Sequence, residues 1–200
     1  IHPGKGLAFC YLKLSNYCSN QNIYAIHHPY FGELNRHFES IDDMAKAYII
    51  LLQTLQPKGP YCLGGWSSGG VLACVMAQIL RRKGEQVSWV MLIDSYHPDE
   101  LRHHEIENTT EQNSSSSIIT EVEAAFKWHL QEAKALLYTA TLFSPDYPVV
   151  FLKACDHPHH TAWQEYAGKY LHTYNIAGKH DELFSDEEIY SVAKIICEWM

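Results

Sequence analysis

The chain has 200 residues, 46% of them apolar and 19% charged, with a net charge of −8. That length suits one domain with a sizeable core. The acidic balance and the lack of a basic stripe argue against nucleic-acid binding, and no apolar run is long enough to cross a bilayer.

Residue 1 is Ile and runs at once into His2-Pro3-Gly4. The chain therefore reads as one domain, residues 1–200, cut from something longer and just inside a first strand. There is no signal-peptide pattern. The six cysteines show no C-x-x-C pairing, and several fall in apolar runs. Free cysteine behaves there as a small core residue, so the expectation is a reduced, cytoplasmic protein.

His2-Pro3-Gly4-Lys5-Gly6 is a turn. Residues 7–17 read as a helix with Leu7, Cys10, Tyr11 and Leu14 on one face. Residues 22–26 read as a short strand, and 27–35 as a loop holding Pro29 and Gly32. Ser40-Ile41-Asp42-Asp43 resembles a capping box, opening a helix over 41–55. Tyr61-Cys62-Leu63 is a short strand, and 71–82 a helix closed by Gly84. Residues 87–93 are apolar except Ser88, as in a strand buried on both faces of a parallel sheet. Asp94 stands at its carboxyl end.

Between 95 and 145 the rhythm changes. Residues 97–108 are polar and irregular, 113–117 is a Ser-rich run expected to be mobile, and 121–137 reads as an amphipathic helix. This stretch, about 97–145, breaks the strand–helix alternation, so it is expected to form a helical lid over the carboxyl ends of the strands. Val122, Phe126 and His129 lie on its apolar side and are the candidates to line a substrate channel. A strand at 148–154, a short helix at 161–167 and a strand at 171–176 follow. Residues 178–181 are a loop, and Ser185-Asp186-Glu187-Glu188 reads as a second capping box opening a helix to about 199. Strands alternating with helices predict a mostly parallel sheet with helices on both faces.

The chemistry centres on Gly64-Gly65-Trp66-Ser67-Ser68-Gly69-Gly70. Strand, sharp turn and helix are what a nucleophile elbow needs. Side chains two residues either side of the serine would collide there, so glycine is required at both places. Ser67 has Gly65 and Gly69 at those places, whereas Ser68 would need glycine where Trp66 stands. No Lys follows the glycines, so a phosphate loop is excluded.

A serine needs a base, and the base needs a third group to hold it. Thirteen histidines make position the deciding criterion. His180 follows the last predicted strand, at the sheet edge that carries the elbow. His157, His159 and His160 follow the preceding strand and are runners-up. His27, His28, His103 and His104 fall in the wrong order or in the lid. For the acid, Asp94 and Asp156 both follow strands, and pattern alone leaves both open. Asp156 to His160 is too irregular, with Pro158 inside it, to predict a metal site.

The chain resembles the thioesterase domains of non-ribosomal peptide synthetases and polyketide synthases. The matching features are His-Pro-Gly-x-Gly at 2–6, the run 24–32 ending in His-Pro-Tyr-Phe-Gly, Gly65-Trp66-Ser67-x-Gly69-Gly70, Leu92-Ile93-Asp94-Ser95, and Gly178-x-His180. They come in order over nearly the whole chain. The resemblance implies an α/β-hydrolase fold and an acid after the strand that follows the elbow helix, hence a Ser67–Asp94–His180 triad. It implies oxyanion donors at the N–H of Ser68 and of Gly4, although Lys5 stands where the commoner form has a second glycine. It implies release of an acyl or peptidyl chain from the phosphopantetheine thioester of a carrier domain, by hydrolysis or cyclisation, with no cofactor or metal bound by this domain. Rival expectations are a free-standing editing thioesterase, a general carboxylesterase, and a hydrolase-like module that binds without catalysis.

Overall fold

A computed structural model describes residues 1–18, 22–104, 120–158 and 161–200. Four strands form one parallel sheet in the order β1-β2-β3-β4. They are β1 (Tyr61–Trp66), β2 (Val87–Ile93), β3 (Val149–Lys153) and β4 (Leu171–Asn175). The helices are α1 (Ile41–Leu55), α2 (Ser68–Arg82), α3 (Pro98–His104), α4 (Glu121–Thr139), α5 (Ala162–Ala167) and α6 (Ile189–Trp199).

Alternate residues of the strands feed two cores. Leu63, Val90, Leu92, Val149 and Phe151 face α1, α2, α5 and the end of α4. Trp89, Met91, Ile93, Val150 and Leu152 face α6 and the N-terminal segment. A sheet covered on both faces explains why β2 reads as a continuous apolar run. The fold is that of an α/β-hydrolase.

Local chemistry sets the helix ends. Ser40 caps α1, its hydroxyl oxygen accepting from the Asp43 N–H at 3.1 Å, and Asp42 and Asp43 complement the dipole of the first turn. Ile41, Met44, Ala45, Tyr48 and Ile49 are its buried stripe, spaced as one helical face. Thr120 and Glu123 close a full capping box on α4, a signal the sequence reading passed over.

Three local expectations are corrected. Residues 7–17 form a 3₁₀ segment, Phe9–Asn16, not an α-helix. Its inward residues, Ala8, Tyr11 and Leu14, recur every third position while Phe9 and Leu12 stay exposed, the period of a three-residue turn. Residues 22–26 form no strand; the His2 N–H donates to the Ile26 carbonyl at 3.1 Å, and no ladder develops. The second capping box does not start α6. Ser185 Oγ accepts from the Glu188 N–H at 3.3 Å within a turn, and the helix begins at Ile189.

The cysteines also depart from expectation. Cys10, Cys62, Cys74 and Cys155 are free, but Cys18 and Cys197 form a disulfide across 179 residues of sequence. It ties the end of the 3₁₀ segment to α6. No sequence spacing signals such a pair, because the fold alone brings the two ends together. Among the described residues, no helix is long and apolar enough to cross a membrane. The Ser-rich run at 113–117, and His159 and His160, lie outside the described residues.

Candidate active site

The strand ends build the site in register. Ser67 follows β1, Asp94 follows β2, Asp156 and His157 follow β3, and His180 follows β4. In a parallel sheet all four ends lie at one edge, where ligands of open α/β folds bind.

Ser67 has φ 57° and ψ −126°, a conformation few residues other than glycine adopt, and α2 starts at the next residue. Holding such a residue costs roughly 1–3 kcal/mol, which the surrounding structure must impose. The Ser67 N–H donates to the Ile93 carbonyl at 2.9 Å, and the Ser67 carbonyl accepts from the Gly70 N–H at 3.1 Å. The flanking glycines are required by contact: a Cβ on Gly65 would lie 2.3 Å from the Gly69 carbonyl carbon. A Cβ on Gly69 would lie 2.6 Å from the His2 carbonyl oxygen. The elbow is thus pressed between its own strand and the 2–6 loop.

Asp94 is fully buried and, like Ser67, has a positive φ, 44°. Its Oδ2 lies 2.6 Å from His180 Nδ1 and its Oδ1 accepts from the Ala154 N–H at 2.9 Å. A second imidazole is present: His157 Nδ1 lies 2.8 Å from Oδ1. Burial by itself would raise this carboxyl's pKa; the two imidazoles and the Ala154 N–H outweigh it and hold the group well below the usual carboxylate range. Asp156, the other candidate acid, does not meet the imidazole. Its Oδ1 accepts the main-chain N–H of His180 at 2.9 Å and so holds the backbone of the loop. The His180 ring lies 5.4 Å from that of Trp66, the residue before Ser67. His157, a runner-up base, is buried with its ring stacked on Tyr96 at 4.7 Å.

Gly4 and Ser68 come together. A Cβ on Gly4 would lie 3.5 Å from Ser68 Oγ and 3.0 Å from Leu130 Cδ1, so the 2–6 loop sits between the start of α2 and α4. Sequence reasoning missed Tyr11. Its hydroxyl donates to the Ile1 carbonyl at 2.6 Å and accepts from the Trp66 N–H at 2.8 Å, linking the 2–6 loop to the last residue before Ser67. Its recurrence with Ala8 and Leu14 every third residue was the available signal.

The three candidate channel residues on α4 separate. Val122 is 54% exposed. Phe126 is half-buried, its ring 5.7 Å from that of Phe31. His129 is 1% exposed and turns inward, its Nδ1 3.1 Å from Glu132 Oε2. It lies inside the packing, not on an open channel wall.

His28, His129 and Glu132 are the one set among the described residues whose donor atoms all lie within 4.8 Å of one another, as a metal site would need. The proton positions disfavour a metal. The Tyr30 N–H donates to His28 Nδ1 at 3.2 Å, so the neutral ring carries its proton on Nε2, which lies 3.1 Å from Glu132 Oε2. A metal on Nε2 would move that proton to Nδ1, where it would face another N–H.

A strained serine at an elbow, a buried carboxylate on an imidazole and a parallel sheet that gathers them define a serine hydrolase of the α/β-hydrolase class. The family model of the thioesterase domain matches residues 1–150, and the chain belongs to that family. A dimodular nonribosomal peptide synthase of Bacillus subtilis (strain 168) is 40% identical over 97 residues, which are 48% of this chain and 4% of that protein. The chain therefore spans a small fraction of that relative's length. The NocB thioesterase domain, solved as a covalent complex with a fluorophosphonate nocardicin G analogue, is 25% identical. It superposes with a TM-score of 0.80 over 99% of this chain and 91% of its own. The surfactin thioesterase domain SrfTE shares the fold, with a TM-score of 0.70 and 22% identity over 98% of this chain and 87% of its own.

Proposed function

We propose that this domain releases an acyl or peptidyl chain from the phosphopantetheine thioester of a carrier domain through an acyl-enzyme on Ser67. The observation that carries the reading is the 2.6 Å contact between Asp94 Oδ2 and His180 Nδ1, at the sheet edge where Ser67 is held at φ 57°. Asp94 keeps the proton on Nδ1, leaving Nε2 of His180 as the base.

Ser67 Oγ attacks the thioester carbonyl while Nε2 takes its proton. The carbonyl oxygen becomes an oxyanion, stabilised by the main-chain N–H groups of Ser68 and Gly4. Collapse breaks the carbon–sulfur bond, and the imidazolium returns its proton to the leaving thiolate. Water, or a hydroxyl or amine within the chain, then attacks the ester; His180 takes that proton and gives it to Ser67. This chemistry calls on no metal or redox cofactor. The carrier domain is the proposed partner, in the same polypeptide. A cytoplasmic setting belongs to the same reading and rests on family kinship alone, since the Cys18–Cys197 disulfide removes the cysteines as an argument for it. Kinship with a nonribosomal peptide synthase and the NocB domain favours chain release over general ester hydrolysis.

The test is product mass from a panel of acyl and peptidyl chains loaded on a carrier. Free acids or macrocycles from wild-type protein, and none from Ser67→Ala, are the expected result. Turnover of simple esters with no turnover of carrier thioesters would replace the reading with a carboxylesterase.

A further inference from the structure

Glu132 takes no part in the chemistry above, yet its carboxylate is enclosed by three polar partners. Its side chain is 6% exposed. Oε1 accepts from the Phe38 N–H at 2.9 Å and Oε2 is hydrogen-bonded to His129 Nδ1 at 3.1 Å, whereas His28 Nε2 lies 3.1 Å from Oε2 as a close polar contact without hydrogen-bond alignment. Burial would raise its pKa; the two imidazoles and the Phe38 N–H instead hold it well below the usual range. A buried carboxylate needs such partners, because leaving it unpaired is costly.

The partners come from three places: α4 itself, His28 and the segment before α1. Two of them, His28 and His129, lead back to the 2–6 loop. The His28 N–H donates to the Gly6 carbonyl at 2.8 Å. The His129 ring stacks on Phe31 at 5.3 Å, and a Cβ on Gly6, which has φ 85°, would lie 3.1 Å from Phe31 and 3.3 Å from His129. On the adjoining face of α4, Leu130 and Ala133, the residues next to His129 and Glu132, lie 3.0 and 3.8 Å from where a Gly4 Cβ would be. The loop therefore rests on α4, and Glu132 holds α4 to the segments that flank the loop.

We propose that Glu132 is a positioning residue, a buried carboxylate that clamps α4 against the 2–6 loop and thereby fixes the Gly4 N–H at the oxyanion site. The clamp stands on the contacts above; its effect on rate rests on the role proposed for Gly4. A helix clamped this way is a fixed wall beside the serine. Shifting it would strip a buried carboxylate of its donors.

Glu132→Gln removes the charge, keeps an acceptor for the Phe38 N–H and turns an NH₂ group toward two imidazoles. Two measurements on the full chain test the clamp. Amide hydrogen exchange over residues 3–8 should speed up by about tenfold or more in Glu132→Gln, with β1 and β2 unchanged. On a short acyl thioester, kcat should fall by about 10²-fold with KM within about threefold, because a displaced donor acts on the transition state. His28→Gln, which leaves Glu132 its other donors, should move both readouts the same way by less, and it carries the test if Glu132→Gln does not fold. Unchanged exchange over 3–8 in a folded variant overturns the clamp. Faster exchange with unchanged kcat overturns the rate effect and removes Gly4, not Glu132, from the scheme. One equivalent of zinc in the purified protein, lost in Glu132→Gln, would also overturn the proposal, since the cluster would then be a metal site.

Discussion

Asp94 and Glu132 sit in nearly the same company. Each is a buried carboxylate, each accepts one main-chain N–H, and each has two imidazoles within about 3.1 Å. Both are held below the usual pKa range by those partners against the pull of burial. They differ in what the imidazoles do next. The His180 side chain is 23% exposed and its ring lies beside Trp66, next to the strained serine, whereas His28 and His129 are closed off with side chains 1% exposed. A carboxylate–imidazole pair is therefore not chemistry in itself. On the proposed reading it becomes so when one imidazole edge reaches solvent and a nucleophile; sealed on all sides, the same pair acts as a fastener.

The sharpest way to break the comparison is at the serine. Ser67→Ala should lower turnover of a carrier thioester by roughly 10⁴–10⁶-fold, while Ser68→Ala keeps most activity because the proposed donor there is a main-chain N–H. Fluorophosphonate labelling followed by peptide mass should place the adduct on Ser67. An adduct elsewhere, or a fully active Ser67→Ala protein, ends the proposal.

The acids come next. Asp94→Asn keeps the shape but disturbs the tautomer of His180, and should cost on the order of 10⁴ in kcat. Asp156→Asn retains an oxygen to accept the His180 N–H and should change kcat by no more than a few fold. The two rates, measured side by side, decide between the acids; the reverse order would assign the role to Asp156.

The outline of this site was open to reading because a parallel sheet converts sequence order into place. Strand ends put Ser67, Asp94 and His180 at one edge, and the Gly65–Gly69 pair marked the turn. What stayed hidden depends on contacts far apart in sequence. Glu132 meets partners at positions 28 and 38, and its i,i+3 neighbour His129 read as an apolar-face residue because an imidazole carries no sign of which way it turns. Cys18 and Cys197 gave no spacing to read. Tyr11 reads on the right face of the wrong helix type: the three-residue recurrence signals that it is buried, but not that its hydroxyl meets Trp66. Asp94 over Asp156 came from family resemblance, since both follow strands equally well.

A smaller effect probes the 2–6 loop. Burial pushes the His2 imidazole down to about 3, with its Nε2 2.6 Å from the Tyr48 hydroxyl and its Nδ1 2.7 Å from the Pro3 carbonyl. The unfolded chain protonates this group near 6.5. The folded state thus binds fewer protons between those values, and stability present above pH 6.5 should be lost as pH falls toward 3. Urea midpoints measured from pH 7 to pH 4 should show that decline, and His2→Asn should flatten it. An equal slope in both proteins would mean that His2 is not the group responsible.

The smallest expected effect lies at Phe126. Of the three channel candidates, Val122 points outward and His129 is tied to Glu132, so neither offers a wall to an acyl chain. Phe126 is different: half-buried, it meets Phe31, whose other neighbours are His129 and the Gly6 turn. An aromatic pair beside the 2–6 loop offers an apolar surface, held in place if α4 is clamped as proposed. Phe126→Ala should therefore change selectivity more than stability. The ratio of kcat/KM for long against short acyl thioesters should shift by about 3- to 10-fold, at or below the low end of what one methylene of lost contact is worth, because the ring is only half-buried. The cost in folding should stay near 1 kcal/mol, since the ring is only half-buried. Val122→Ala serves as the control and should leave the ratio unchanged. If both variants shift it equally, the whole exposed flank of α4 meets substrate; if neither does, the acyl chain runs elsewhere and the Phe31–Phe126 pair is packing alone.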